Sequence, residues 1–305
     1  MFIGKRNRNN LTSAAFLSPA LISITVLTLI PIIFTIYISI TNYNMYHLDD
    51  RSFVGFKNYV ELLGGDLRNV FFPVFEWTLL FATLSTLGAY CIGLILAILL
   101  NNPQMKETNI YRSILIVPWA LPATIAILSW QGLLNEHYGG INQLLALVHI
   151  SGLPWMTDVF WARAGILTVN FWLGYPYMMN VCLGALQSIP PELYESACID
   201  GGGRWMTFRR ITFPLVSRAT LSLVIASFAM NFNNFGNIYM ITQGNPPRAD
   251  TQYAGYTDIL ASAGYKLTSW SNRYDLSAAL SVVVFLIVGG LTLMSMKLSH
   301  SFEED

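Results

Sequence analysis

The chain has 305 residues, of which 54% are hydrophobic and only 11% charged, with a mean hydropathy of +0.49. Soluble domains carry about 25% charged residues. So few charges cannot cover a water-facing surface of this size, and lipid is the solvent for much of the chain. Basic and acidic residues balance at 17 each, and the absence of any basic block excludes a nucleic-acid reader.

In chain order, Lys5-Arg6-Asn7-Arg8 precedes an apolar run in the manner of a signal peptide. The run is too long and lacks a small-residue cleavage pattern, so it reads as a retained span. Six apolar stretches follow one another, at residues 14–40, 77–100, 113–133, 164–186, 215–241 and 276–296. Each is long enough to cross ~30 Å of hydrocarbon, and each is expected to be helical because lipid offers backbone amides no partner. With no linker or low-complexity tract, this predicts one all-α integral membrane domain over residues 1–305, with six transmembrane helices. Pro31, Pro118, Pro122 and Pro176 fall inside these stretches and predict bends where neighbours or water satisfy the freed carbonyls.

Orientation follows from the loop cations. With the N-terminus inside, Lys5, Arg6, Arg8, Lys106, Arg112, Arg204, Arg209, Arg210, Arg218 and Lys297 are cytoplasmic. Arg51, Lys57, Arg68, Arg163, Arg248, Lys266 and Arg273 are outside, ten against seven. The bias places both termini and the loop at residues 188–214 in the cytoplasm. Outer loops remain at residues 41–75, 134–162 and 242–275. The last, opening on Gly244-Asn-Pro-Pro, is either a disordered connector or, preferably, a lid that meets a partner outside. Cys91, Cys182 and Cys198 and the 4 His are dispersed, which argues against a metal site or a disulfide.

The interiors of the stretches hold no acidic or basic residue; Glu76 and Arg163 stand at edges, and Arg218 counts with the cytoplasmic cations. An ion-coupled transporter keeps an ionisable residue in the membrane, so its absence argues against proton coupling. No Gly-x-x-x-x-Gly-Lys-Ser/Thr occurs, so the chain is expected to be no enzyme, and its energy to come from an attached subunit. What the stretches do carry is neutral polarity. Asn170, Leu173, Gly174 and Tyr177 recur at i, i+3, i+4 and i+7 and share one helix face. Asn231 and Asn234 lie a turn apart, and Trp119 stands between Pro118 and Pro122. Amides beside aromatic faces suit a neutral, hydroxyl-rich ligand; the same residues also glue helices together by interhelical hydrogen bonds.

The loop at residues 188–214 is the longest polar interruption. Pro190 and Pro191 preset a first helical turn, with Glu192 and Glu195 near its positive end. The predicted helix over residues 192–199 breaks at Gly201-Gly202-Gly203. A second, from Arg204, carries Trp205, Phe208 and Ile211 on one face until Pro214 ends it. By composition this is either a pair of amphipathic helices lying on lipid or a surface held by another protein.

The order Glu195-Ser196-Ala197, Asp200-Gly201, Phe208, Ile211, Pro214 resembles the EAA motif of ABC-importer permeases, with Ser196 where Ala is usual. In that family the short helix docks into a cleft of the ATPase subunit, which assigns coupling roles to Glu195, Ala197, Asp200, Gly201 and Phe208. The pattern Gly55-x-x-Asn58-Tyr59 is similar to one in sugar-importer permeases. The runs 170–179, 226–235 and 254–258 resemble the larger permease subunit of maltose-type ABC importers, a similarity extending from about Phe16 onward. That resemblance implies the type I importer permease fold and a sugar site lined by Trp119, Ala123, Asn170, Leu173, Gly174, Tyr177, Met230, Asn231 and Asn234. Trp119, Ala123 and Met230 depart from the usual Tyr, Ser and Phe. The extra N-terminal helices and large outer domain of the enterobacterial type have no counterpart in these residues.

The resemblance implies half of a heterodimeric pore in a bacterial cytoplasmic (inner) membrane. The implied partners are a second homologous permease, two ATPase subunits that bind the ATP and Mg, and an extracytoplasmic sugar-binding protein. The expected cargo is maltose, maltooligosaccharides or a related α-glucoside, with trehalose, glucosylglycerol or another neutral sugar or polyol as the alternative. An ATP-independent secondary transporter or channel is the rival class. A phosphorylated cargo ranks low, because no Arg or Lys stands at mid-membrane.

Overall fold

The computed structural model describes residues 16–298 apart from Pro103, Asp250 and Gln252, with the backbone alone from residue 294. The basic cluster Lys5-Arg6-Arg8, the start of the first predicted span and the Lys297 side chain lie outside the described residues. Among these, every regular element is helical, with two isolated bridges, Thr41–Phe53 and Pro247–Gly255. The chain forms two compact units, residues 1–68 with 264–284, and residues 69–263 with 285–305.

In the first unit, a π-helical turn at Thr25–Leu29 runs into α1 (Ile30–Ser39), and α2 (Lys57–Gly64) follows a loop. The Gly55-x-x-Asn58-Tyr59 pattern clasps that loop. Gly55 takes φ +60°, Asn58 donates to the Ser39 and Thr41 carbonyls at 2.9 and 2.8 Å, and the Tyr59 and Ser39 hydroxyls meet at 2.7 Å. Arg273 bridges Asp275 at 3.0 Å and Glu61 at 3.3 Å.

The second unit is organised around one central helix. α3 (Arg68–Leu100) is followed by three short helices, α4 (Thr108–Leu115), α5 (Val117–Ala120) and α6 (Ala123–Leu133). Then come α7 (Gly140–Leu147), the central α8 (Val159–Gln187), α9 (Pro191–Ile199) and α10 (Arg204–Thr207). A π-helical turn at Phe208–Thr212 leads into α11 (Phe213–Phe232), and α12 (Phe235–Thr242) follows. α13 (Leu260–Ser269) and α14 (Tyr274–Leu298) complete the chain. α5, α6, α11 and α12 all pack on α8. α3 approaches it so closely that a Cβ on Gly93 would lie 2.6 Å from the Met179 backbone nitrogen. Two apolar clusters grip α8 at different heights. Ile166 and Val169 join Trp77, Phe81, Ile127 and Ile238, whereas Met178, Met179, Cys182 and Leu186 join Leu94, Ala97 and Val216. Between the two, residues 170–177 of α8 and Ser85 and Thr86 of α3 are left to a polar layer.

Three predicted elements are corrected. The stretch at residues 113–133 is not one helix: Leu121, pushed by Pro122 to φ −78°, ψ 143°, separates α5 from α6. The stretch at residues 215–241 breaks after Phe232, where Asn234 turns its side chain onto the Asn237 N–H and caps a new helix. Conversely, Pro214 does not end the helix from Arg204. The turn just before it widens, with the Phe213 N–H reaching the Phe208 carbonyl. This moves the chain off the i−4 geometry that a proline ring would strike. The same device precedes Pro31, where the Ile30 N–H reaches the Thr25 carbonyl. Pro176 sits inside an unbroken α8.

Among the described residues, four helices are long and apolar enough to cross a bilayer, Phe16–Ser39, Arg68–Leu100, Arg204–Phe232 and Tyr274–Leu293. α8 matches them in length with 29 residues. At 33 residues, α3 is about 50 Å long, and Glu76, expected at the edge of a span, lies within the helix.

The loops expected outside are built rather than loose. Asn142, buried, donates to the Glu136 and Leu153 carbonyls and accepts from the Leu153 N–H and the Trp155 indole. Trp77 donates its indole N–H to the Thr257 carbonyl, while Arg163 stacks 4.2 Å over the Trp77 ring and donates twice to the Tyr256 carbonyl. Ala254, Thr257, Asp258 and Ile259 are buried, which removes the disordered-connector reading for this part of the third loop.

Candidate functional site: an uncharged amide cavity and an exposed helix–turn–helix

In the polar layer a cavity of ≈ 630 Å³ opens between α3, α5, α8, α11 and α12. Of the nine residues expected from sequence, Trp119, Asn170, Leu173, Gly174, Tyr177, Met230, Asn231 and Asn234 line it. Ala123, the first residue of α6, does not. Trp119 and Tyr177 face each other with ring centroids 6.4 Å apart. Trp119 and Met230 are 59% and 77% exposed in this chain. None of the 15 lining residues is charged.

The amides form one connected network. Asn170 donates to Asn231 Oδ1 at 2.9 Å, and Asn231 donates to Thr86 Oγ1 at 3.1 Å. Asn170 Oδ1 accepts from Asn234 at 3.1 Å and Asn237 at 2.7 Å. The amides that tie α8 to α11 and α12 are those that line the cavity. Ser85, fully buried beside the cavity, has a hydroxyl with no partner, although its helix neighbours Thr78 and Thr83 bond back to the i−4 carbonyl.

Sequence reasoning missed Ser85, Ala89, Ser227, Asn233, Phe235, Gly236 and Asn237 in the lining. Asn237 had a usable signal, standing three residues after Asn234 and on the same helical face. Ser85 and Ala89 had little; small residues at i and i+4 mark a close approach without saying what is approached.

The second site is the exposed turn. α9 ends in a Schellman motif: the Gly202 N–H reaches the Ala197 carbonyl at 2.7 Å, and the Gly201 N–H reaches Cys198 at 3.1 Å. Gly201 takes φ +75°, the left-handed position that motif requires. Glu195 and Asp200 are exposed, Ala197 half-buried. Phe208 is stacked between Trp205, at 5.6 Å, and Phe213, at 5.9 Å. Ile199 and Trp205 are 86% and 72% exposed, an apolar pair that water does not favour.

Fold and cavity together define a polytopic helical membrane protein built around a solute-sized, uncharged compartment. A model of the binding-protein-dependent transport system inner membrane components matches residues 89–298, and the chain belongs to that family. Among curated relatives, the galactooligosaccharides transport system permease protein GanP of Bacillus subtilis (strain 168) is 37% identical over 94% of this chain and 70% of its own length. The maltodextrin transport system permease protein MdxF of the same organism is 36% identical over 94% of this chain and 68% of its own. The maltose/maltodextrin permease MalF of Yersinia pestis is 40% identical over 81% of this chain, which spans only 47% of that longer protein. A solved bacterial ABC transporter involved in alginate import matches the fold over 100% of both chains, with TM-score 0.81 at 22% identity.

Proposed function

We propose that the chain is one half of the translocation pore of an ABC importer and that its cavity passes a neutral oligosaccharide, with maltose and maltooligosaccharides as the reference cargo. The observation that carries this reading is the uncharged cavity itself, with its connected amides and the Trp119–Tyr177 aromatic pair. Amides supply directional hydrogen bonds to sugar oxygens, while aromatic faces pack on the apolar C–H side of a pyranose ring. A phosphorylated or carboxylated cargo would leave a charge without a counter-charge in a low-dielectric site.

In this reading six helices cross the membrane. α5 and α6 together make the third crossing and α11 and α12 the fifth. Both termini and the 188–214 loop face the cytoplasm. The Schellman turn at Gly201 presents Glu195, Asp200 and the Trp205–Phe208 stack to an ATPase subunit, whose nucleotide cycle moves α9. The π-helical turn and α11 carry that movement toward Met230 and Asn231. A homologous permease would complete the pore, and a sugar-binding protein would deliver cargo from outside.

A galactooligosaccharide cargo is the second reading, favoured by the relative GanP. Both are tested by ATP hydrolysis in the reconstituted complex, stimulated by binding protein loaded with maltose, a longer maltodextrin, trehalose or a galactooligosaccharide. Stimulation by a glucan alone supports the first reading and by the galactoside alone the second. No stimulation by any of them, with the complex intact, overturns the oligosaccharide assignment.

A further inference from the structure

The geometry points to Asn237, a residue outside the expected sugar-contact set, as the positioning residue that makes Asn170 a pure donor toward the ligand. The inference rests on the cavity being the sugar site and adds to it the polarity of that site.

A backbone group, which cannot flip, anchors the network. The Asn237 N–H opens the first turn of α12 and is capped by Asn234 Oδ1 at 3.4 Å. That cap commits the other end of the Asn234 amide, its Nδ2, to Asn170, where it meets Oδ1 at 3.1 Å. The Asn237 side chain then adds a second donor to the same oxygen at 2.7 Å. A carbonyl oxygen has two lone pairs, so Asn170 Oδ1 is saturated. Its Nδ2 gives one hydrogen to Asn231 Oδ1 and keeps one. Asn231 follows in the same sense, donating to Thr86. Toward a ligand Asn170 therefore offers one N–H and no acceptor. Its partner must be an oxygen acting as acceptor, which a ring or bridging acetal oxygen of a glycoside always is and a hydroxyl is when its own proton points elsewhere.

Asn237 thus acts through Asn170. Asn237→Leu removes its side-chain donor while leaving the backbone cap, returns a free lone pair to Asn170 Oδ1 and leaves Asn234 alone to hold that amide. The readout is sugar taken up per ATP hydrolysed, by the reconstituted complex at saturating maltose-loaded binding protein, for wild type, Asn237→Leu, Asn170→Leu and the double variant. Losing one of the two neutral hydrogen bonds that hold and saturate Asn170 Oδ1 predicts a drop of about threefold to tenfold in Asn237→Leu. The double variant should be no worse than Asn170→Leu alone, since the route through Asn170 is already gone. Asn237→Gln, which keeps the donor on a longer stem, should recover part of the loss. An additive double variant, or an Asn237→Leu ratio equal to wild type, overturns the positioning role while the sugar site stands. An Asn170→Leu ratio equal to wild type overturns the sugar site itself, and the inference with it.

Discussion

Gly201 offers the sharpest test of the exposed turn, because its cost can be worked out from the backbone alone. A Cβ placed there meets nothing within 4 Å, so substitution adds no clash. The residue sits at φ +75° with two hydrogen bonds, to Ala197 and Cys198, closing around it. An L-residue in that region costs about 1–2 kcal/mol, asparagine less and a β-branched residue more. One to two kcal/mol shifts a local equilibrium about 5–30-fold, so Gly201→Ala should raise the exchange rate of the Gly202 amide by that factor. The added Cβ meets nothing within this chain, so the melting temperature of the chain by itself in detergent should hold. Binding-protein-stimulated ATP hydrolysis should fall in the order Gly, Asn, Ala, Val. A Gly201→Val complex with wild-type stimulation and wild-type Gly202 protection would refute both the strain argument and the coupling role of the turn.

Other outcomes follow from the same reasoning. Gly93→Val places a branched side chain against the Met179 backbone nitrogen, 2.6 Å away. Backbone cannot swing aside, so α3 and α8 must part at a cost of about 1–3 kcal/mol or more, read as a lower unfolding temperature in detergent. Ser85→Ala removes a buried hydroxyl that has no partner; an unmet buried polar group costs about 1–3 kcal/mol, so the empty protein should gain stability, and a loss would mean the hydroxyl is satisfied. Burial would raise the Glu136 pKa, but the N–H groups of Met156 and Thr157 and the Thr157 hydroxyl outweigh it and hold the carboxyl below its ordinary value. A lowered folded-state pKa stabilises above the unfolded value and loses that contribution as pH falls through the folded one. Glu136→Gln should therefore flatten the acid limb of the thermal-stability profile and leave its alkaline limb unchanged.

The parts legible from sequence are those governed by neighbours along the chain. Pro190-Pro191 and Gly201 announced α9 and its end, because proline and left-handed glycine act within one turn of themselves. The spacing of Asn170, Leu173, Gly174 and Tyr177 placed them on one face of α8, and that face lines the cavity. Apolar length foretold helices at all six stretches, because lipid leaves the backbone no other partner. Tertiary structure decided how those helices break and what they enclose. Leu121 and the pair Asn233-Asn234 lie in apolar runs that read as continuous, yet the chain bends at both. Pro214 reads as a stop, yet a widened turn lets the helix pass. In each case a contact one to five residues away selects between two locally allowed conformations: the Pro122 ring against Leu121, the Asn234 cap on the Asn237 N–H, and the Phe213–Phe208 bond. The polarity of the amide network lies furthest from sequence. It is set by one backbone N–H at the start of α12 and carried through three helices to Thr86, and no spacing records a direction that only the packed side chains impose.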